Sequence, residues 1–171
     1  TTGVQNTLIG GLSGDAITSA ANNTALGFSS LSQNTTGAAN VAVGASALNA
    51  NTTASNNTAV GINALLSNTT GAGNVAVGSL ALDANTTAAD NTAVGYGSLS
   101  ANTTGTRNTG IGRFALTENT TASDNTSVGY GSLEKNTTGA NNSALGKGAL
   151  FANTTGASNT AVGFGSLDAN T

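Results

Sequence analysis

An all-β fold, a repetitive parallel β-solenoid (β-roll) with 17-residue coils, is predicted by three observations. The first is the period. Asn recurs every 17 residues from Asn23 to Asn159, Gly from Gly27 to Gly163, and Leu from Leu31 to Leu167, with no insertion or deletion. A short period held in register marks a solenoid or fibrous array. The second is the chemistry of the unit, N-T-A-V-G-x-x-A/S-L-x-x-N-T-T-G/A-x-x, which joins short β-branched runs to turn formers. The third is the poor fit to a helix: the unit is rich in Gly and Asn, and its apolar residues do not recur at spacings of three and four.

We number the unit from its first Asn. Positions 1 to 4, N-T-A-V, read as a strand ending at Gly in position 5, where φ > 0 can turn the chain. The following x-x-A/S-L reads as a second short strand, and N-T-T-G as a turn built on Asn and Gly. Residues 1–22 form a degenerate first repeat, a cap or a junction: Asn6-Thr7-Leu8-Ile9-Gly10 fits the unit, but Gly14 replaces the Leu and Ile17 the second Asn. Residues 23–171 are the regular solenoid repeats. They stop mid-unit at Asn170-Thr171, from which part of a longer fibre is expected.

Fixed positions are expected inside and at the corners, variable ones toward water or a partner. Position 4 and position 9 supply the expected core: Val43, Leu48, Val60, Leu65, Val77, Leu82, Val94, Leu99, Val128, Leu133, Val162 and Leu167. The expected turn and ladder residues are Gly44, Gly61, Gly78, Gly95, Asn51, Asn68, Asn85 and Asn102. Stacking puts identical side chains ~4.8 Å apart, so Asn columns can pass amide hydrogen bonds from coil to coil. A core of about one Val and one Leu per coil is thin. It favours several chains sharing one core, a homo-oligomer with a trimer first.

A second period runs beneath the first. Position 15 alternates Gly37, Ala54, Gly71, Ala88, Gly105, Ala122 and Gly139, then breaks at Gly156. Position 6 alternates large residues with small or charged ones, from Phe28 and Ala45 to Lys147 and Phe164. Duplication of a two-repeat block explains this without a structural cause. The competing reading is a 34-residue coil of two half-turns with its aromatics on one side.

The composition excludes much chemistry. Charged residues are 6% of the 171, with a formal net charge of −3. That surface has no footprint for nucleic acid or an anionic membrane. His and Cys are absent, which removes the usual general base, a Ser-His-Asp triad and thiolate metal sites. The seven acids are scattered and make no calcium loop. No enzyme activity, cofactor or metal is expected, and no apolar run is long enough to insert in a membrane.

At N-T-A-V-G and N-V-A-V-G the chain resembles the head repeats of YadA-like trimeric autotransporter adhesins. It is also similar to the N-T-A-V-G-x-x-x-L-x-x-N-T-T-G repeats of bacterial surface and phage tail fibres, over residues 6–171. The resemblance implies a left-handed parallel β-roll, three chains side by side, an extracellular, cell-surface or virion location and a binding role. Adhesin head units are shorter and lack the N-T-T-G turn.

The function expected is mechanical: an adhesin-like structural fibre or stalk segment that extends or presents a binding tip. The alternatives are a phage tail-fibre shaft and an ice- or glycan-binding solenoid, with possible contact to a host surface or its glycans. Each N-T-T is also a glycosylation sequon, from Asn34 to Asn153. A turn with an Asn/Thr ladder explains these better, because glycans at ~4.8 Å spacing would collide. The adjacent threonines, as in Thr86-Thr87, do not share one face of a strand, which weakens the ice-binding reading. The aromatics Phe28, Tyr96, Tyr130 and Phe164 suit stacking on sugars or, preferably, covering gaps between chains.

Overall fold

The computed structural model describes residues 2–169. Ten three-residue strands stack in chain order into one parallel sheet. They are β1 (Thr7–Ile9), β2 (Thr24–Leu26), β3 (Val41–Val43), β4 (Thr58–Val60), β5 (Val75–Val77), β6 (Thr92–Val94), β7 (Thr109–Ile111), β8 (Thr126–Val128), β9 (Ser143–Leu145) and β10 (Thr160–Val162). Register advances by one unit per strand: Thr58 pairs with Val75, and Val75 with Thr92. The coil is therefore 17 residues, and the 34-residue half-turn arrangement does not occur. There is no helix among the described residues.

Backbone bonds tie neighbouring coils together around the whole perimeter, not only in the sheet. Gly61 N–H donates to Val43 O of the coil before (2.8 Å), and Asn63 N–H to Ala45 O (3.0 Å). Leu65 N–H donates to Ala81 O of the coil after (3.0 Å), and Thr69 N–H to Thr86 O (2.8 Å). A narrow coil with almost no interior thus satisfies much of its backbone through its neighbours.

The predicted second strand is absent. Positions 5 to 12 form consecutive turns, in which Ala64 N–H donates to Gly61 O and Asn68 N–H to Leu65 O, both at 3.3 Å. Left-handed residues set this path: Gly61 has φ +138°, Asn63 +58° and Leu65 +51°. A left-handed Leu recurs in every regular coil, at a backbone cost of roughly 1–2 kcal/mol each. Complete burial of the same side chain, from Leu31 to Leu150, offsets it.

The core differs from expectation on one side. Leu48, Leu65, Leu82, Leu99 and Leu133 are fully buried, as predicted; Leu167, on the last coil, is 51% exposed. The Val column is not core. Val43, Val60, Val94 and Val128 are half-buried, and Val77 and Val162 are exposed. A strand alternates its faces, so the middle residue alone points inward. That residue is Ala25, Ala42, Ala59, Ala76 or Ala93, all fully buried. It packs with the buried position-8 Ala or Ser and the position-9 Leu. The interior has width for one Leu per coil, and from β2 to β10 the strand approaching it carries only Ala, Gly or Ser.

Residues 6–22 stack as a coil of the same size, since β1 pairs in register with β2. Here the large and small positions trade places. A β-carbon on Gly14 would meet Leu8 Cδ2 at 2.7 Å, so Leu8 at position 3 fills the space that Leu fills elsewhere from position 9.

Candidate functional site

Two columns of Asn run through the inside. At position 12, Asn51 Nδ2 donates to Asn34 Oδ1 (2.9 Å), Asn85 to Asn68 (2.9 Å) and Asn102 to Asn85 (3.0 Å). At position 1, Asn57 N–H donates to Asn40 Oδ1 (3.0 Å) and Asn74 N–H to Asn57 Oδ1 (2.9 Å). The two columns meet at the carbonyl of position 15: Ala88 O accepts from Asn74 Nδ2 at 2.8 Å and from Asn85 Nδ2 at 3.0 Å. Asn51, Asn68, Asn85 and Asn102 thus form the expected ladder. All eight sequon asparagines are buried, with their amides engaged in it, so the ladder reading of N-T-T stands. The first Thr of each pair faces its neighbour, as in Thr69 Oγ1 donating to Thr86 O (3.0 Å), and the second is exposed.

The corner glycines Gly44, Gly61, Gly78 and Gly95 have φ between +131° and +139°. A β-carbon on Gly78 would also lie 2.5 Å from Gly95 O of the next coil. Both the dihedral and the close approach require glycine here.

Position 15 has a structural cause for its alternation. A β-carbon on Gly37 would lie 2.2 Å from Ala54 O, on Gly71 2.1 Å from Ala88 O, and on Gly105 2.2 Å from Ala122 O. The hydrogen bonds alternate with it. In the Gly-bearing coil, Thr69 and Thr70 N–H both donate to Thr86 O (2.8 and 3.4 Å). In the Ala-bearing coil, Thr86 N–H donates to Thr103 O at 3.2 Å, with no matching bond from Thr87 among the described residues. Packing thus requires glycine at position 15 of alternate coils, and a β-carbon on Gly139 would lie the same 2.2 Å from Gly156 O where the alternation with Ala breaks.

Outside, the sheet presents two parallel columns. Position 4 is aliphatic without interruption: Ile9, Leu26, Val43, Val60, Val77, Val94, Ile111, Val128, Leu145 and Val162. Position 2 beside it is Thr in seven strands, Val in β3 and β5, and Ser in β9. No charge falls on this face.

Around the corner lies a row of aromatic and cationic side chains. Tyr96 and Phe114 meet edge to face with centroids 5.6 Å apart, and Phe114 and Tyr130 at 6.3 Å. The Arg113 guanidinium lies 4.4 Å from the Phe114 centroid, and Lys147 Nζ sits 5.6 Å from that of Phe164. Tyr96, Tyr130 and Phe164 were expected here. Phe114 was not, because it occupies position 7 and only the stacking of coils brings it to the row. Exposed ion pairs also join neighbouring coils: Arg107 Nε to Asp124 Oδ1 at 2.7 Å, and Lys135 to Glu118. The hydrogen bond from Arg107 and its charge hold the Asp124 carboxyl below the usual range.

The described residues hold no group of three or more His, Cys, Asp or Glu placed to bind a metal, and no helix long and apolar enough to cross a membrane. Searches of protein-family models, of curated proteins and of solved structures find no match to this chain.

Proposed function

We propose that this chain is a structural fibre segment of a cell surface or virion, working as a self-associated shaft that carries a binding tip. The observation behind this reading is the uninterrupted aliphatic column on the outer face of the sheet, from Ile9 to Val162. Exposed apolar area of that length marks an interaction surface. The Leu column is buried within one chain, so a partner adds to the fold from outside and does not complete its core. A trimer would pack three such faces around one axis. Cell-surface and phage fibres use the same physics and are separated by the domains attached to them.

The test is the mass of the chain in solution by light scattering, with Val60→Lys and Val94→Lys as a second sample. A β-rich trimer that the lysines dissociate supports the shaft. A β-rich monomer sinks it.

A second reading is favoured by one observation: position 2 sets a mostly Thr column on that same uncharged face. Thr and Val repeating ~4.8 Å between coils and ~6.6 Å along the strand form a regular two-dimensional array suited to ordering water. An ice-binding monomer would show thermal hysteresis that Thr92→Lys abolishes; a trimer without hysteresis excludes this reading.

A further inference from the structure

We propose that the two rims of the outer face bind each other between copies of this chain. The aromatic and cationic row at position 6 of one copy docks on the acidic column at position 17 of the next, with the chains parallel. The docking rests on the self-associated shaft proposed above, and adds which edges meet and which way the chains point. Positions 2 and 4 face outward from each strand, and they are flanked by position 17 before the strand and position 6 after it. At Asp90, Arg107 and Asp124 on one rim, and at Tyr96, Arg113, Tyr130 and Lys147 on the other, the side chains are exposed.

The rims carry opposite charge. Position 6 holds Arg113 and Lys147 and no acid. Position 17 holds Asp90 and Asp124, and its one base, Arg107, is already held by Asp124 through Nε at 2.7 Å and Nη2 at 2.9 Å. Among the described residues, Arg113, Lys147 and Asp90 form no ion pair within their own chain. The spacing is the same in both pairs: Arg113 lies 23 residues past Asp90, and Lys147 lies 23 past Asp124. Copies related by a closed rotation stand level, so each cation is one coil, ~4.8 Å, beyond the acid of its neighbour. The Arg113 guanidinium also lies 5.6 Å from the Tyr96 centroid, and Lys147 Nζ 5.8 Å from that of Tyr130. Those rings share their coils with Asp90 and Asp124. They are the chain's two tyrosines, so the hydroxyl-bearing rings stand level with the acids. On the coils of Phe28, Ile62 and Phe164 the other rim holds the neutral Asn22, Asn56 and Ser158.

Charge also decides the orientation. Parallel copies rotated about the fibre axis bring position 6 of one against position 17 of the next, cations against acids. An antiparallel pair, face to face, brings each rim against itself, with Arg113 and Lys147 beside cations and Asp90 and Asp124 beside acids. Like charges so placed select against that pairing. In the parallel arrangement Arg107 stands level with Arg113, but Asp124 already meets its charge. Each rim-to-rim contact joins two different surfaces, so it closes as a ring, three copies in the proposed shaft.

The test uses the full chain, which has no Cys, so introduced thiols are unique. Asn56→Cys with Ser79→Cys puts one thiol on each rim at the spacing of Asp90 and Arg113 and leaves every charge in place. A short bismaleimide and peptide mapping should give links between chains from 56 to 79. Links of 56 to 56 or 79 to 79, or none between chains, overturn the docking. Light scattering over a concentration series is the second arm. Asp90→Lys is tolerated by the backbone, since position 17 already carries Arg107 at φ +56°. It should raise the association midpoint by about tenfold or more, as should Arg113→Glu. Asp90→Lys combined with Arg113→Glu swaps the pair and should return the midpoint to within about threefold of the parent. A combined variant no better than its parts overturns the docking. A parent chain that stays monomeric sinks both the docking and the shaft. Dissociation by Val60→Lys and Val94→Lys but not by Asp90→Lys sinks the docking and leaves the shaft standing.

Discussion

The carbonyl oxygen of Ala88 lies 2.1 Å from the point where a β-carbon on Gly71 would stand. That oxygen also receives the amides of Asn74 and Asn85, so it cannot retreat without breaking both columns. Gly71→Ala should therefore destabilise the stack by several kcal/mol, at the upper end of overpacking costs of about 1–3 kcal/mol or beyond. Ala88→Gly, which only removes a methyl group, should cost about 1 kcal/mol. Thermal unfolding of the two variants checks the asymmetry; equal effects would show that the alternation has no packing cause.

Loss of one ladder rung has a calculable consequence. Asn85 donates to Asn68 Oδ1 and Ala88 O and accepts from Asn102 Nδ2, all in a buried column. Asn85→Ala strands those partners at about 1–3 kcal/mol for each group left unmatched. Hydrogen exchange should report the damage locally, with protection lost first at coils adjoining residue 85, because each coil contacts only its neighbours. Uniform loss along the whole stack would contradict that picture.

The two apolar columns should respond differently to truncation. Leu82 is fully buried, so Leu82→Ala should cost about 2–5 kcal/mol in any assembly state. Val77 is 37% exposed, and Val77→Thr should change the stability of a single chain by less than about 1 kcal/mol. Chemical denaturation of both at low protein concentration tests this. A large loss for Val77→Thr under conditions of a monomer would place the valines in the core after all.

Asp83 gives a pH dependence of unusual sign for a carboxylate. Its pKa is raised on folding, so the folded chain bears the cost of holding the charge above that raised value. The cost is relieved as pH falls through it toward the unfolded value of 3.8. Asp83→Asn should raise the melting midpoint at pH 7, by less than the roughly 2–4 °C that 1 kcal/mol produces in a chain this size. The gain should vanish below about pH 4. A gain that persists in acid would point to packing instead of charge.

Much of this architecture was legible from the residues. The period gave the coil, Leu65 and its equivalents gave the core, and Asn68 and Gly61 gave the ladder and the corner. The outward turn of Val60 was not foreseen, because a three-residue strand offers no alternation from which to read its faces. The signal was the fixed small residue beside it, Ala59, which marks the inward side. The curled path through Asn63 and Leu65 was hidden for another reason. A left-handed Leu is disfavoured by its own backbone, and only bonds to the coils on either side hold it there. At position 17 the clue was present, since Asn56, Gly73, Asp90, Asp124 and Asn141 are residue types that accept φ > 0.

The Asn columns give the stack an arrow. In every rung the donor belongs to the later coil and the acceptor to the earlier one, as in Asn102 giving to Asn85 and Asn74 N–H giving to Asn57. A cut made anywhere would leave amide oxygens bare on one surface and N–H groups bare on the other. As far as the Asn columns go, two such surfaces would match when joined front to back and conflict when joined front to front, so any end-to-end assembly of these coils would be one-way, like couplings on a train.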